Sequence, residues 1–549
     1  MCIFIYPHLQ IEESDKLNMK AIFGKLYCWL RRPFEKEYEF FLLLFLVFGL
    51  VNSYGYLMFN TLEKALGVAS HHFLLTYGLT MILSYLNGKL RVVYKTLIIV
   101  GMIIALIIDL VCVNAFHYTY TRDTVALVLG TNTTEISEMW NTYFDFSVLF
   151  KALATVAVAY LFYRFVFWLF RKKQVVILRV SMVALLLSIA DFIYVTHTWS
   201  SWDAISVTRF FCIPKVASSP DLHQYLVHPK LEQTETQMPR RIVLIVGESF
   251  AKSHSSLYGY DKKTNPFLET LQKDSLLYLF TKTKSSASYT IEAFQSFMST
   301  YRPSYGDSIK WYQCLTVPEV MRTCGYRCSW ISNQNRYGVY DNVVTRYAEL
   351  CDTAIFLRNQ LKDNNKSFYD QDLLPKIDEA LVASENAERN FYVVHLMGSH
   401  PKFNRRYPVE FNRFSPSEYT FDSNRKKRES SQYDNSILYN DSVVYEMIRR
   451  YDDDETIVFY FSDHGLDIYQ TRPDYMGHAI RGNKQSGEAS RDIPFMVYMN
   501  KGFQKKYPRI LRKVQSLQHQ PFETQDLIYL LTDLIGVHIS ERSLPDGTY

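Results

Sequence analysis

Two acidic motifs stand directly after two of the most apolar strand-like runs in the sequence. Glu248 follows "RRIVLIVG", and Asp463 and His464 follow "TIVFYFS". Two further histidines stand after strand-like runs: His400 just beyond the run at 390–396, and His478 in the loop that follows 456–462. Carboxylates and imidazoles without thiolates suit a divalent metal of the zinc or manganese type. The combination predicts a metal site, where the pKa of a bound hydroxyl would fall and negative charge would be neutralised.

A hydroxyl that could serve as a nucleophile occurs at position 290. In "SSASYTIEAFQSFMS" (285–299) a small polar stretch gives way to a helical pattern, so Thr290 is expected at the N-cap of a helix. A hydroxyl there meets free backbone N–H groups and the positive end of the helix dipole, which favour an anionic oxygen and a phosphate. Position alone predicts a helix cap, so catalysis by this residue needs further support.

The second half of the chain alternates apolar strand-like runs with helical patterns. Strands are predicted at 241–247, 328–332, 390–396, 456–462 and 493–499, and helices at 291–299, 317–323, 372–384 and 436–451. Continuous apolar strands separated by helices indicate an α/β domain with a mostly parallel sheet covered on both faces. The basic run "NRKKRES" (424–430) between them is expected to be a solvated loop.

Ligands of such sheets gather at the carboxyl ends of the strands. Six potential ligand residues are therefore expected at one edge of the sheet. They are Glu248, His395, His400, Asp463, His464 and His478.

The first 200 residues carry nearly all of the long uncharged stretches. Since a membrane span needs about 20 mostly apolar residues, we predict five spans. They lie at 39–59, 68–87, 93–114, 146–170 and 175–196. Basic residues precede the first span and fill alternate loops, which predicts a cytoplasmic N-terminus and an extracytoplasmic second half. The net charge of +5 is small for 549 residues, so no nucleic-acid partner is expected.

These patterns divide the chain into four parts. We predict a cytoplasmic segment at 1–38, a transmembrane domain at 39–196, an interfacial linker at 197–236 and a soluble domain at 237–549. Five cysteines fall on the predicted outer side, where an oxidising compartment permits disulfides and the odd number leaves one cysteine without an intramolecular partner. They are Cys212, Cys314, Cys324, Cys328 and Cys351.

In their residues and their order the motifs resemble those of phosphoethanolamine transferases. These are inner-membrane enzymes with a sulfatase-like periplasmic domain of the alkaline phosphatase superfamily. The motifs are "VGESFAKSHSSLYGYDKKTNPFL" (246–268), "YTIEAF" (289–294), "HLMGSH" (395–400), "FSDHG" (461–465) and "GHAIRG" (477–482). The resemblance covers the whole chain and implies five spans followed by a periplasmic catalytic domain in the bacterial inner membrane.

The resemblance also implies residue roles. It makes Glu248, Thr290, Asp463 and His464 the ligands of a tightly bound zinc ion, with Thr290 also the nucleophile. It implies that His400 and His478 bind the phosphoethanolamine group or a second metal. His395 begins the same motif as His400. Asn333 and Asn435 are expected to line the pocket.

The implied reaction has two steps. Thr290, activated by zinc, attacks the phosphate of phosphatidylethanolamine and releases diacylglycerol, and the phosphoethanolamine then passes to a lipopolysaccharide-type or other glycolipid acceptor. The context "TIEAFQSFMS" after the nucleophile is closer to members that modify core sugars than to those that modify lipid A. The implied partners are thus the donor lipid, the glycolipid acceptor and the membrane.

Three alternative hypotheses about the function compete with this interpretation. A sulfatase-like hydrolase would carry Cys or Ser in a C/S-x-P-x-R context, which the second half of the sequence lacks. A glycerophosphate transferase related to lipoteichoic acid synthases would share the five spans, the threonine and the "SDHG" motif. A membrane-anchored sensor or scaffold would have damaged ligands, whereas all the expected ones are present.

Overall fold

The chain forms two compact units, one of Met1–Ala126 with Tyr143–Pro214 and the other of Leu127–Thr142 with Lys215–Tyr549. A computed structural model describes residues 13–59, 62–111, 113, 146–170, 173–198, 231–233, 237–305, 309–336, 342–358, 368–471, 476–478 and 488–539. Most of the predicted linker at 197–236 and Cys212 lie outside these residues. The four predicted domain boundaries therefore stay predictions.

The described residues of the first unit form helices, of which the first is polar and the longer ones that follow are mostly apolar. They are α1 (Glu13–Lys36), α2 (Tyr38–Leu43), α3 (Leu50–Phe59), α4 (Leu62–Leu83), α5 (Gly88–Val111), α6 (Phe146–Phe170) and α7 (Gln174–Thr198), and a π-helical stretch, Leu44–Gly49, joins α2 to α3. Among the described residues, three stretches are helical, long and apolar enough to cross a membrane: Ala65–Leu83, Gly88–Leu110 and Leu149–Phe170. They match the second, third and fourth predicted spans. The count of five spans stays a prediction.

Two buried carboxylates of this unit, those of Glu37 and Asp109, are paired with polar side chains. The Glu37 carboxylate, almost fully buried, lies 2.6 Å from Arg91 Nη2 and 3.3 Å from Lys95 Nζ. Asn52 Nδ2 donates to Asp109 Oδ2 at 3.0 Å. Pairing lowers the cost of removing these groups from water.

The second unit contains a seven-stranded sheet. Its strands are β2 (Arg241–Gly247), β3 (Leu277–Leu279), β5 (Tyr326–Asn335), β6 (Thr353–Arg358), β7 (Arg389–His395), β8 (Thr456–Ser462) and β11 (Phe495–Tyr498), in the order β3-β11-β8-β2-β7-β5-β6. β11 is antiparallel to both of its neighbours, and the other pairs are parallel. The predicted mostly parallel sheet and all five predicted strands are confirmed.

Six short strands form three small two-stranded sheets. They are β1 (Leu231–Gln233) with β13 (Val537–Ile539), β4 (Lys282–Lys284) with β12 (Pro521–Glu523), and β9 (Asp467–Ile468) with β10 (Met476–Gly477).

Helices cover both faces of the main sheet. They are α8 (Pro266–Lys273), α9 (Thr290–Phe297), α10 (Val317–Thr323), α11 (Asn342–Glu349), α12 (Leu374–Ala383), α13 (Asn424–Tyr451), α14 (Lys501–Lys506), α15 (Pro508–Leu517) and α16 (Leu527–Leu534). On one face, Phe297 of α9 packs perpendicular to Phe461 of β8, with ring centroids 5.2 Å apart. On the other, Tyr451 of α13 packs on Tyr392 of β7 at 5.3 Å.

The predicted loop at 424–430 is wrong, because these residues form the first turns of α13. The Ser423 side chain caps the helix by accepting from Arg425 N at 3.2 Å. Pairs four residues apart, Asp422 with Lys426 and Arg425 with Glu429, then lie on one side of the helix. A cap and such ion pairs favour a helix over a solvated loop.

The cysteines of the described part are free thiols. Four of the five cysteines on the predicted outer side form no disulfide among the described residues: Cys314, Cys324, Cys328 and Cys351. Burial raises the pKa of the Cys314 thiol to about 12 and that of Cys324 to about 11, so both are poorly reactive.

Candidate metal centre

The register of two parallel strands brings the first two acidic residues together. Gly247 of β2 pairs with Ser462 of β8, so Glu248 and Asp463 leave neighbouring strands at the same edge of the sheet. Both side chains are buried, as is His464. One ligand atom from each of these three residues lies within 4.8 Å of the other two. His464 Nε2 is 3.2 Å from Glu248 Oε1 and 3.5 Å from Asp463 Oδ2.

The backbone after Glu248 is held in an unusual conformation. Ser249 has φ of 58°, a left-handed value that residues other than glycine rarely adopt. Its N–H donates to Asp463 Oδ1 at 3.3 Å, and its Oγ donates to Glu248 Oε1 at 2.7 Å. The Tyr433 hydroxyl donates to the Ser249 carbonyl at 2.7 Å and accepts from Ala251 N at 2.8 Å. These contacts fix the turn that presents the Glu248 carboxylate.

A carbonyl group orients the imidazole of His464. Its Nδ1 lies 2.9 Å from the Gly465 oxygen, which can only accept a hydrogen bond. Nδ1 therefore carries a proton, and Nε2 faces the two carboxylates. Metal-binding histidines are commonly fixed in this way through the ring nitrogen that does not bind the ion.

The charges of the cluster are strongly coupled. Burial raises the pKa of Asp463 well above its usual range, and the neighbouring Glu248 carboxylate raises it further. Burial also opposes ionisation of Glu248, but the His464 imidazolium and its hydrogen bond hold the pKa of Glu248 well below the usual range. For His464, burial is outweighed by the two carboxylates, which raise its pKa to about 9. A positive charge between the carboxylates is therefore strongly favoured.

These residues fit a metal ion. Asp463 Oδ2 is buried and accepts no hydrogen bond from the described residues, although it faces the other two members of the cluster. Two carboxylates and one imidazole form a donor set that suits zinc and similar divalent ions. A bound cation would satisfy this oxygen and neutralise both carboxylates.

Thr290 touches the same cluster. Its Oγ1 donates to Glu248 Oε2 at 3.1 Å and lies 3.3 Å from His464 Nε2. The prediction that Thr290 is the N-cap is off by one position, because Tyr289 is the N-cap and Thr290 is the first helical residue of α9. The half-buried hydroxyl still lies in the first turn, beside the free backbone N–H groups of the helix.

Two predicted ligand-binding histidines lie close to the cluster. The ring of His478 stands nearly perpendicular to that of His464, with centroids 4.6 Å apart. Burial and the nearby His464 charge lower the pKa of His478 to about 3. His400 lies near enough to Glu248 that a protonated His400 ring would lower the pKa of that carboxyl.

His395 lies inside the domain at the end of β7. Its ring packs 4.7 Å from Phe294 and 6.4 Å from Trp330, and neither ring nitrogen has a hydrogen bond within the described residues. Burial lowers its pKa to about 4, so it is neutral at pH 7. A substrate role for His395 stays a prediction.

Asn333 and Asn435 hold loops beside the site. Asn333 Nδ2 donates to Asp370 Oδ1 at 2.8 Å. Asn435 Oδ1 accepts from the backbone N–H groups of Arg413 and Phe414, both at 2.8 Å. Since their contacts are with the protein itself, the role of these asparagines in binding substrate also stays a prediction.

Sequence reasoning missed Asp370, which supports the loop "LMGSH". Its carboxylate accepts from Met397 N and Gly398 N, both at 2.8 Å. Gly398 has φ of 52°, and a Cβ there would lie 2.7 Å from both the nitrogen and the oxygen of Glu248. The loop therefore packs directly on the backbone that carries the Glu248 side chain. No local pattern around "FYDQDLL" indicates this role.

Comparison with known proteins places this site in a family. The sequence profile of the family described as Sulfatase matches residues 240–537. Phosphoethanolamine transferase EptC of Escherichia coli O18:K1:H7 (strain RS218 / NMEC) is 30% identical over 310 residues, which cover 54% of this chain and 51% of that protein. The chain thus matches about half the length of this curated relative.

Two solved structures are similar to the chain. The C-terminal periplasmic domain of EptC from Escherichia coli, in complex with Zn, is 26% identical with a TM-score of 0.50, over 57% of this chain and 86% of that one. The integral membrane protein lipooligosaccharide phosphoethanolamine transferase A from Neisseria meningitidis is 18% identical with a TM-score of 0.56, over 90% and 96%. The second likeness shows a shared fold alone. Together these findings confirm the resemblance to phosphoethanolamine transferases.

Proposed function

The chain belongs to the sulfatase family, and from that premise we propose that it transfers phosphoethanolamine from phosphatidylethanolamine to a lipopolysaccharide-type acceptor. The observation that carries the proposal is the position of the Thr290 hydroxyl, 3.1 Å from a Glu248 oxygen and 3.3 Å from His464 Nε2. The candidate nucleophile, a carboxylate that can accept its proton and the candidate metal ligands thus meet at one point, and the similar EptC proteins are named as phosphoethanolamine transferases.

The chain's own residues account for the first step. Thr290 Oγ1 donates its hydrogen bond to Glu248, so its proton leaves toward that carboxylate as the oxygen attacks phosphorus. The bond from Oγ1 to phosphorus forms, and the bond from phosphorus to the glycerol oxygen breaks. The glycerol oxygen takes up a proton and leaves as diacylglycerol. The first turn of α9 offers N–H groups to the phosphoryl oxygens.

The second step returns the enzyme to its starting state. A hydroxyl or phosphate oxygen of the acceptor attacks the same phosphorus, and Thr290 leaves and regains its proton. Two such displacements divide one difficult transfer into two easier ones. We propose that Glu248, Asp463, His464 and Thr290 hold one zinc ion. When bound, zinc lowers the pKa of the hydroxyl and neutralises charge that develops on the phosphoryl group.

We propose the predicted topology for the membrane part: a cytoplasmic N-terminus, five spans and a catalytic domain on the periplasmic side of the inner membrane. Three long apolar helices support a membrane anchor, and the similar EptC domain is described as periplasmic. A donor with two acyl chains requires an enzyme at the membrane. Protease should remove a C-terminal epitope tag in spheroplasts but not in inverted inner-membrane vesicles, and the reverse pattern would overturn this topology.

Mass spectrometry of the purified chain tests the reaction. After incubation with phosphatidylethanolamine and zinc, peptides containing Thr290 should carry a phosphoethanolamine adduct. The adduct should be absent from Thr290→Ala and retained by the control Thr270→Ala, which changes an exposed threonine of α8. A glycerophosphate adduct formed from phosphatidylglycerol would assign the alternative transferase. Phosphate release with no adduct on Thr290 would instead indicate a hydrolase.

A further inference from the structure

His400 is anchored to the protein by one arginine. Arg406 Nε donates to the His400 carbonyl at 3.0 Å, and its Nη2 donates to the Pro401 carbonyl at 2.7 Å. The same Nη2 lies 3.4 Å from Nδ1 of the His400 ring. The guanidinium therefore contacts both the backbone and the side chain of this histidine.

The backbone of His400 is also held from the side of the metal centre. Ser399 N donates to the Glu248 carbonyl at 2.9 Å, and Ser399 Oγ accepts from Ser436 at 2.9 Å. His400 N donates to the Met397 carbonyl at 3.3 Å. The backbone that carries the His400 ring is consequently held against the backbone of Glu248.

The contact between Arg406 and the ring determines where its proton sits. A guanidinium group has only N–H donors and cannot accept a hydrogen bond. His400 Nδ1 must therefore accept from Nη2 with its lone pair, and a neutral ring then carries its proton on Nε2. In this state neither nitrogen offers a lone pair to a metal ion.

We propose that Arg406 is a positioning residue that holds His400 in the tautomer protonated at Nε2, so that His400 donates a hydrogen bond to the phosphoryl group and does not bind a second metal. This inference rests on the proposed phosphoryl transfer at the same site. It assigns one of the two roles that the sequence leaves open for His400. It also adds a residue, Arg406, that no sequence motif indicates.

The tautomer can be measured without reference to activity. In the purified full-length chain labelled with ¹⁵N-histidine, long-range ¹⁵N–¹H correlation at pH 8 should show His400 with a protonated Nε2 and an unprotonated Nδ1. His400→Gln assigns the signal. In Arg406→Leu the signal should change to a mixture of tautomers, while Arg406→Lys, which keeps N–H donors, should preserve most of the wild-type form. A His400 ring protonated at Nδ1 in the wild type would overturn the inference.

Kinetics and metal content separate a donor from a metal ligand. Glutamine places its amide nitrogen near the position of Nε2, whereas asparagine places its own near Nδ1. His400→Gln should therefore release diacylglycerol from an acyl-labelled phosphatidylethanolamine at least about tenfold faster than His400→Asn. The zinc content should be equal in the wild type, His400→Gln and Arg406→Leu. Loss of one equivalent of zinc in either variant would assign His400 to a second metal and contradict the inference.

The combined outcomes distinguish this inference from the proposed function. Wild-type protein with the expected tautomer but no transfer from any phosphatidylethanolamine would overturn the function and leave the role of Arg406 in orienting His400 intact. Active wild-type protein in which Arg406→Leu keeps the tautomer and the full rate would overturn the role of Arg406 alone. We expect Arg406→Leu to lower the rate about tenfold, with most of the loss in kcat.

Discussion

Asp370 and Asp441 are buried as deeply as Glu248 and Asp463, yet the two pairs of carboxylates have different neighbours. Asp370 accepts hydrogen bonds from two backbone N–H groups at 2.8 Å, and Asp441 from two at 2.7 and 3.2 Å. Asp463 Oδ1 also accepts from two backbone N–H groups, but Glu248 and Asp463 face each other across His464 Nε2, and Asp463 Oδ2 accepts no hydrogen bond from the described residues.

The difference separates structural carboxylates from those of the site. A buried carboxylate that accepts several N–H bonds stabilises the loops that supply them. Two buried carboxylates held side by side destabilise each other unless a cation lies between them. The supporting residues therefore stabilise an arrangement that is unfavourable in itself. Arrangements that are unfavourable for stability are typical of functional sites.

Gly398→Ala should have the largest effect on this arrangement. The new Cβ would lie 2.7 Å from the backbone nitrogen and oxygen of Glu248, and the φ of 52° disfavours any side chain. We expect a loss of about 3 kcal/mol or more in the free energy of unfolding, together with loss of transfer activity. Urea unfolding followed by circular dichroism measures the first effect.

Gly259→Ala is the matched control for that change. Gly259 also has a positive φ, of 99°, but nothing lies within 4 Å of a Cβ built there. This variant should lose only about 1 kcal/mol and keep its activity. Equal losses in the two variants would show that backbone strain, and not the contact with Glu248, determines the cost.

Protonation of His395 should have a smaller effect on the free energy of unfolding, and this effect depends on pH. Its pKa is lowered from 6.5 to about 4 by burial, so the unfolded chain binds its proton more readily than the folded one. The stability that the neutral ring contributes is complete above pH 6.5 and is lost as the pH falls toward 4. The total loss is about 3 kcal/mol, of which about 2 kcal/mol is reached at pH 5.

Thermal unfolding of wild type and His395→Leu between pH 7.5 and 4 measures this contribution. Leucine has a similar size, fits between the two aromatic rings and cannot take up a proton. The wild type should lose more stability than the variant as the pH falls through this range. Parallel curves would show that His395 has the same pKa in the folded and the unfolded chain.

Tyr433→Phe should have the smallest effect on stability. It removes the hydroxyl that joins the Ser249 carbonyl to Ala251 N and leaves both backbone groups without that partner. We expect a loss of about 1–2 kcal/mol and a fall in transfer rate of about tenfold. Tyr451→Phe on the same helix is the control, because the Tyr451 hydroxyl is buried without a hydrogen bond in the described part of the chain. That variant should be neutral.

The residues that could be predicted from the sequence share a local pattern. Glu248, Asp463 and His464 follow apolar strands, and parallel pairing necessarily brings such positions to one edge. The start of the helix at Thr290 was predicted to within one position, because the change there from a polar stretch to a helical pattern is visible in the local sequence. The strand β11 was predicted but its antiparallel direction was not, since an apolar strand buried on both faces gives no sign of its direction.

The supporting residues could not be predicted because their partners are distant in sequence. Tyr433 binds the carbonyl of Ser249, which is 184 positions away, and Asp370 binds Met397 and Gly398 across 27 and 28 positions. Their neighbours in sequence give no hint of these contacts, since a backbone N–H or C=O group has no residue type to recognise. The candidate metal ligands of the site are thus predictable from the sequence, whereas most of the residues that support them are not.

Thermal unfolding of three proteins with and without zinc tests most directly whether the carboxylates of the site require a cation and the supporting ones do not. Asp463→Asn keeps Oδ1 for the N–H groups of Ser249 and His464 and replaces the oxygen that faces Glu248 with a donor. Without zinc it should be at least as stable as the wild type, and zinc should stabilise only the wild type.

Asp370→Asn is the counterpart in that measurement. It leaves a buried N–H group without its acceptor, so it should be about 2 kcal/mol less stable than the wild type under both conditions and should still be stabilised by zinc. Either of two results would contradict a need for a cation at the carboxylates of the site. One is that Asp463→Asn loses as much stability as Asp370→Asn in the absence of zinc, and the other is that zinc stabilises Asp463→Asn as much as the wild type.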